Sequence, residues 1–315
     1  MTANQANGLN EYTIGWLGAG RMGFAMAKRL LQAGAAVSVY NRTRSKAEPL
    51  VEYGATLVST PRDLAGCDLV FAMVSTGADL RDVVSGEGGL LTGTSRPKLL
   101  IDCSSISEAD SVAARTQAAK LGVPMLAAPV SGNAKVVKAG KLFVVASGPR
   151  DAFDIAAPYL AALGQGVTYV GEGERSRIVK ICHNLYLGIV TQALAEITVL
   201  AQKGGVARFD FLEFLNCSIM GSAFARYKMP AFVNLELSPT FTPILLRKDL
   251  DLGLEAGERL GVPLPLTALT REYVQKTIDA GHEAEDFAVL LLEQAKRSGL
   301  ELRSEGAKIN DGLSG

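Results

Sequence analysis

The sequence predicts an α/β chain in which a doubly wound parallel sheet is followed by an all-α domain. Three observations carry that expectation. From residue 12 to about 171, short apolar runs alternate with helical patterns, which is the rhythm of βαβ units. After residue 173 the rhythm stops, and the segments that follow read at a helical period. Between the first apolar run and the first helical pattern stands a glycine-rich turn, Gly18-Ala19-Gly20-Arg21-Met22-Gly23. The length of 315 residues suits two domains, since a single core stops growing beyond ~250–300 residues.

The apolar runs place strands at 13–17, 36–40, 69–74, 99–103, 142–146 and 167–170. In the second half, 176–202 reads as one long helix, followed by helices at 210–219, 243–260, 265–280 and 286–297. The hinge is expected at Gly171-Glu172-Gly173-Glu174, where two glycines separate a strand from the long helix. The expected organisation is therefore a nucleotide-binding domain at 12–173 and an all-helical substrate and dimerisation domain at 174–300. The polar ends, 1–11 and 301–315, are expected to be flexible. The long helix is apolar on more than one face, at Ile189, Val190, Leu194, Ile197, Val199 and Leu200. Such a helix is expected to be a buried spine, with part of its surface in a dimer interface. Gln192 and Glu196 argue against its spanning a membrane.

Composition narrows the functional classes. Lys plus Arg is 32 and Asp plus Glu is 32, so no global field attracts nucleic acid or an anionic membrane. Cys67, Cys103, Cys182 and Cys217 are far apart and form no CxxC, which points to reduced thiols in a cytoplasmic protein. Two histidines leave too few ligands for a His-based metal centre, and no metal is expected.

The glycine-rich turn has the strand-turn-helix context that a dinucleotide-binding GxGxxG requires. Gly18 permits the tight turn, Gly20 lets the backbone approach a pyrophosphate, and Gly23 packs helix on strand. Arg21 and Met22 open a helix whose N-terminus supplies N–H donors and a positive dipole. This makes the first domain a Rossmann-type fold. Its second strand ends in Tyr40-Asn41-Arg42-Thr43. An NAD site usually has an acidic residue there for the ribose 2′-hydroxyl, whereas Asn41 is uncharged and Arg42 suits a 2′-phosphate. NADP(H) is thus favoured over NAD(H). Met73, Val74 and Ser75 end a strand on the ligand-binding edge of the sheet and are expected to touch the cofactor.

Three further stretches bear on chemistry. One strand runs into Ser104-Ser105-Ile106-Ser107, and Ala128-Pro129-Val130-Ser131-Gly132 forms a loop. The long helix carries Lys180-Ile181-Cys182-His183-Asn184, with Lys180 and Asn184 at i and i+4 on one face. Cys182 and His183 point away from that face, which suggests packing.

At these residues the chain resembles the β-hydroxyacid dehydrogenase family, which includes 3-hydroxyisobutyrate dehydrogenase, tartronate semialdehyde reductase and glyoxylate/succinic semialdehyde reductases. The matching motifs are the nucleotide loop Gly18 to Gly23, Pro129-Val130-Ser131-Gly132, the KxxxN pair Lys180 and Asn184, and Lys248-Asp249-Leu250. The resemblance implies an active site in the cleft between a Rossmann and a helical domain, with Lys180 as the catalytic residue and Asn184 bonded to the reacting hydroxyl or carboxylate. It also implies that Ser131 and the Gly132 N–H anchor a substrate carboxylate. Ser105 stands where the family often has a threonine facing cofactor and substrate. Lys248 closes the site over nicotinamide or substrate, and Phe241 lines the pocket. The chain departs from the family at Ala127, where an acidic residue is usual, and at Asn133, where a second glycine is usual. Asn133 adds donor and acceptor capacity beside the carboxylate loop.

Hydride transfer to a carbonyl develops negative charge on oxygen, and a protonated lysine both stabilises that charge and donates the proton. In the reverse direction Lys180 must be neutral, so alcohol oxidation is expected to favour alkaline pH. The resulting expectation is an NADP(H)-dependent oxidoreductase of a small acid-bearing β-hydroxyacid or its semialdehyde, assembled as a homodimer or homotetramer. The alternatives are an imine reductase, a group that typically replaces the lysine, and a non-catalytic dinucleotide-binding module. A short-chain dehydrogenase is disfavoured, because no Tyr-xxx-Lys occurs.

Overall fold

The structure is a computed structural model that describes residues 9–313. Contacts divide the chain into two compact units, Met1–Lys180 and Ile181–Gly315. The first is built on a six-stranded sheet of β1 (Ile14–Leu17), β2 (Val37–Tyr40), β3 (Thr56–Leu57), β4 (Leu69–Ala72), β5 (Leu99–Asp102) and β6 (Met125–Ala127). These strands run parallel in the order β3-β2-β1-β4-β5-β6. That order reverses direction at β1, as in a doubly wound fold. Alternate side chains feed opposite cores. Ile14, Trp16, Leu69, Phe71, Leu99 and Ile101 pack on one face, and Leu17, Val70, Ala72 and Leu100 on the other. Continuous apolar strands follow from burial on both faces.

Helices α1 (Arg21–Gln32), α2 (Gly77–Ser85) and α3 (Glu108–Lys120) make the crossovers. A smaller sheet of β7 (Val130–Ser131), β8 (Phe143–Ala146) and β9 (Gly166–Tyr169) follows, with α4 (Ala134–Lys138) and α5 (Arg150–Ala162) in its connections. β7 and β8 are antiparallel, and β8 and β9 parallel. The apolar runs anticipate six of these nine strands. Missing from them are β3, β6 and β7, each only two or three residues long and held by pairing rather than pattern.

The second unit contains α7 (Arg208–Cys217), α8 (Ala223–Asn234), α9 (Pro243–Leu260), α10 (Pro265–Asp279) and α11 (Leu290–Arg297), together with most of α6 (Arg175–Lys203). α9 shows why its ends were legible. Thr242 caps it, Pro243 opens it, and Gly261 closes it at φ +68°. α6 and α9 pack through glycines: a Cβ on Gly253 would meet Leu185 at 2.2 Å, and one on Gly188 would meet Leu250 at 3.1 Å. α8 was not anticipated, because Pro230 lies inside it.

Three expectations are corrected. The division falls within α6 rather than at Gly171–Glu174, because Ser176 and Arg177 are bonded into the first unit. The segment at 301–313 is extended but tethered: Glu305 accepts from the N–H groups of Arg208 and Phe209, and Asn234 exchanges hydrogen bonds with Ala307. Of the N-terminal segment, residues 1–8 lie outside the described residues and Leu9 is buried against the core; positions 314–315 also lie outside them. Finally, α6 is long and apolar enough to cross a membrane, a test that core helices also pass, but it is only half buried. Tyr186, Ile197 and Leu200 face outward on it.

Candidate active site

The nucleotide loop is shaped by what its glycines exclude. Gly18 sits at φ +94°, and a Cβ there would meet the Met73 carbonyl oxygen at 2.4 Å. A Cβ on Gly23 would meet the Gly18 carbonyl oxygen at 2.0 Å, so strand and helix approach as closely as backbone allows. Trp16 donates its indole N–H to that same oxygen at 2.9 Å and stacks on Phe71 with ring centroids 5.4 Å apart. A Cβ on Gly20, by contrast, would meet nothing within 4 Å. Gly20 is also the N-cap of α1, which has no side-chain cap and no acidic residue in its first turn. Among the described residues the backbone thus leaves room at Gly20, beside the start of α1, and a pyrophosphate fits that cradle. Arg21 is exposed and Met22 half-buried at its edge.

Asn41 closes the loop from the end of β2. Its Oδ1 accepts from the Ala19 N–H at 2.7 Å, and its Nδ2 donates to the Thr43 carbonyl at 2.7 Å. Arg42, 81% exposed, pairs with Asp79 at 2.9 Å. At the end of β4, Met73 and Val74 are half-buried and Ser75 is exposed. The Val74 N–H donates to Ser104 Oγ at 2.9 Å, which joins the ends of β4 and β5. Ser105 follows, half-buried. Between them Cys103 is fully buried, and desolvation pushes its thiol well above the usual range, so it is no nucleophile.

Ser131 ends β7, and Gly132 follows at φ +137°, where a Cβ would meet Val136 at 2.7 Å. Asn133 is buried, and its Oδ1 accepts from the N–H groups of Lys135 and Val136. It caps α4, so its carbonyl oxygen is committed to the fold rather than offered to a substrate. Ala127 has no exposure, and its carbonyl oxygen accepts from Ser176 Oγ at 2.9 Å. Lys180, half-buried, lies one turn beyond on α6.

The helical unit holds the remaining candidates. Asn184, 4% exposed, donates from Nδ2 to Asp249 Oδ2 at 2.5 Å, and its Oδ1 lies 2.9 Å from His183 Nδ1. These contacts orient its amide and leave a second N–H and a second acceptor lone pair. Lys248 pairs with Asp249 Oδ1 at 3.3 Å. Phe241 packs edge-to-face on Phe287 at 5.7 Å and belongs to the rim of the core. Cys182 and His183 are exposed, not packed. Three side chains given no role by sequence reasoning prove central to the wiring: Asp249, Asp102 and Arg177. Asp249 was visible within Lys248-Asp249-Leu250, and Asp102 as a charge ending an apolar strand.

Residues 13–171 match a family described as the NAD binding domain of 6-phosphogluconate dehydrogenase. Residues 174–292 match one described as NAD-binding of NADP-dependent 3-hydroxyisobutyrate dehydrogenase. The chain is 32% identical over 292 residues to the chloroplastic glyoxylate/succinic semialdehyde reductase 2 of Arabidopsis thaliana, covering 92% of this chain and 81% of that one. It is 29% identical to 2-(hydroxymethyl)glutarate dehydrogenase of Eubacterium barkeri, over 92% of this chain and 97% of that one. The crystal structure of a 3-hydroxyisobutyrate dehydrogenase from Salmonella typhimurium superposes with a TM-score of 0.80 at 26% identity, covering 90% of this chain and 99% of that one. With both units matched and the nucleotide loop formed as described, the chain belongs to the β-hydroxyacid dehydrogenase family of NAD(P)-dependent oxidoreductases acting on CH–OH groups.

Proposed function

We propose that the protein is an NADP(H)-dependent reductase of a small aldehyde or ketone that bears a carboxylate. The observation that carries this reading is the open N-terminus of α1 at Gly20, flanked by Asn41 and Arg42 rather than by an acidic residue. The first-turn N–H groups of α1 would hold the pyrophosphate, and Arg42 would face a 2′-phosphate as a charge-assisted donor. When bound, the dinucleotide supplies the hydride. Ser131 and the Gly132 N–H orient the substrate carboxylate, and Ser105 borders the same strand ends. Lys180 holds a proton for the carbonyl oxygen and stabilises the charge that develops there. Asn184, fixed by Asp249, supports the turn of α6 that follows. In the oxidative direction Lys180 accepts the proton. The reading extends to a homo-oligomer, supported by the exposed apolar side chains of α6 and α7.

The test is cofactor depletion at 340 nm with NADPH and NADH against glyoxylate, succinic semialdehyde, methylmalonate semialdehyde, tartronate semialdehyde and a cyclic imine. NADPH-preferring turnover of an acid-bearing aldehyde is expected. Lys180→Ala should lower kcat by about 10²–10⁴-fold while NADPH still binds. Turnover of the imine alone, or full activity in Lys180→Ala, would overturn the reading.

A further inference from the structure

A buried ionic cluster fastens the start of α6 to the ligand-binding edge of the sheet. Arg177 is 2% exposed and Asp102 is fully buried. The Arg177 guanidinium donates to Asp102 Oδ2, to the Ser104 carbonyl oxygen, and through Nε to Ser111 Oγ at 3.2 Å. Asp102 Oδ1 in turn accepts from the Ser104 N–H at 3.0 Å, and Ser104 Oγ accepts from the Val74 N–H. One residue earlier, Ser176 Oγ donates to the Ala127 carbonyl at 2.9 Å. The first turn of α6 is therefore bonded directly to the ends of β5 and β6 and, through Ser104, to that of β4, and Lys180 follows Arg177 at i+3.

Such a cluster does more than hold two surfaces together. A buried ion pair is weak evidence for net stability, because desolvation offsets most of its attraction. A planar guanidinium with three acceptors fixes orientation as well as distance, which a lysine ammonium does not. Both ends of this clamp lie where a hydride acceptor and its proton donor must be aligned, and a misplacement of ~1 Å there costs about 10²-fold in rate. We propose that Arg177 and Asp102 are a positioning pair that sets Lys180 against the ends of β4 and β5. The chemical half of this inference rests on Lys180 serving as the proton donor of the reaction proposed above.

The test uses Arg177→Lys, which keeps the charge and loses the fork, and the double variant Arg177→Gln with Asp102→Asn, which removes both charges of the pair and leaves the neighbouring Glu174 with Arg115. Hydrogen exchange on the free protein reads the clamp without activity. Amides at 175–182 should exchange at least tenfold faster in both variants, and later turns of α6 should be unchanged. With NADPH and the best aldehyde of the panel, kcat should fall at least tenfold at temperatures well below melting, while the NADPH Kd stays within threefold. Conservation of slow exchange at 175–182 overturns the clamp. Faster exchange with kcat within twofold of the parent overturns its coupling to Lys180. If the parent enzyme turns over no aldehyde, the proposed reaction fails, and the exchange result still decides the clamp.

Discussion

Gly20 and Gly23 serve the same loop for opposite reasons, and their substitutions should separate. A Cβ at Gly23 collides with backbone that has nowhere to move, whereas at Gly20 it enters the open cradle over the helix N-terminus. Gly23→Ala is expected to destabilise the sheet-bearing unit by about 1–3 kcal/mol or more, as overpacking does. Gly20→Ala should lower the melting temperature by no more than about 4 °C, since alanine at an N-cap costs on the order of 1 kcal/mol, yet raise the NADPH Kd at least tenfold. Thermal melts and fluorescence titration with NADPH check both; equal melting losses would mean that Gly20 is a folding glycine. This scale was the most legible in the sequence, because the loop's glycines are dictated by backbone geometry alone. Asn133 and Asn184 were less so. Nothing in an asparagine's place in the sequence names its partners, here the α4 N–H groups and the Asp249 carboxylate.

At the scale of elements, the helical unit depends on a buried pair that no periodicity announces. Lys228 of α8 bonds to Asp286 Oδ1 at 2.5 Å, and the Thr240 hydroxyl and N–H bond to Asp286 Oδ2. This ties α8 to the turn that leads into α11, and Phe287 stacks beneath the ammonium at 4.2 Å. Burial alone would raise the Asp286 carboxyl, but Lys228 and the hydrogen bonds outweigh it and hold it below the usual range. A carboxyl lowered in the folded state contributes stability above its unfolded value of ~3.9, and that stability is lost as pH falls through the folded value. Asp286→Asn, which strands Lys228, should cost about 3–5 kcal/mol near neutrality. The same variant should flatten the fall in stability below about pH 4 relative to the parent. Urea melts from pH 7 to pH 3 test this, and parallel pH curves for the two proteins would refute it. Where an element rests on such a pair, local pattern misleads: α8 was obscured by Pro230, and the 301–313 strap read as a mobile tail because tethering by Glu305 and Asn234 leaves no mark on its composition.

At the scale of the whole molecule, the parallel sheet and the run of helices were legible because burial on both faces and helical period are written into every segment. The fate of α6 was not. An all-round apolar helix was expected to be buried, yet Tyr186 and Leu200 of α6, Phe214 of α7 and the following Ile219 and Met220 are all at least 70% exposed. The outward positions on α6, 179, 182, 186, 193, 197 and 200, are spaced by three, four or seven residues, so they form one face rather than scattered points. A folded monomer rarely leaves such large apolar side chains open to water unless something covers them. A second copy of the chain is the expected cover, and a stable interface there would bury at least about 1,200 Å² in total. Light scattering on the eluting protein should therefore give two or four times the chain mass of 33.2 kDa. Leu200→Glu combined with Phe214→Glu places charge on exposed positions, which should leave the fold of each chain intact while shifting the mass toward that of a single chain. A parent protein that elutes as one chain at micromolar concentration, or a double variant that assembles as the parent does, would show that this face has another purpose.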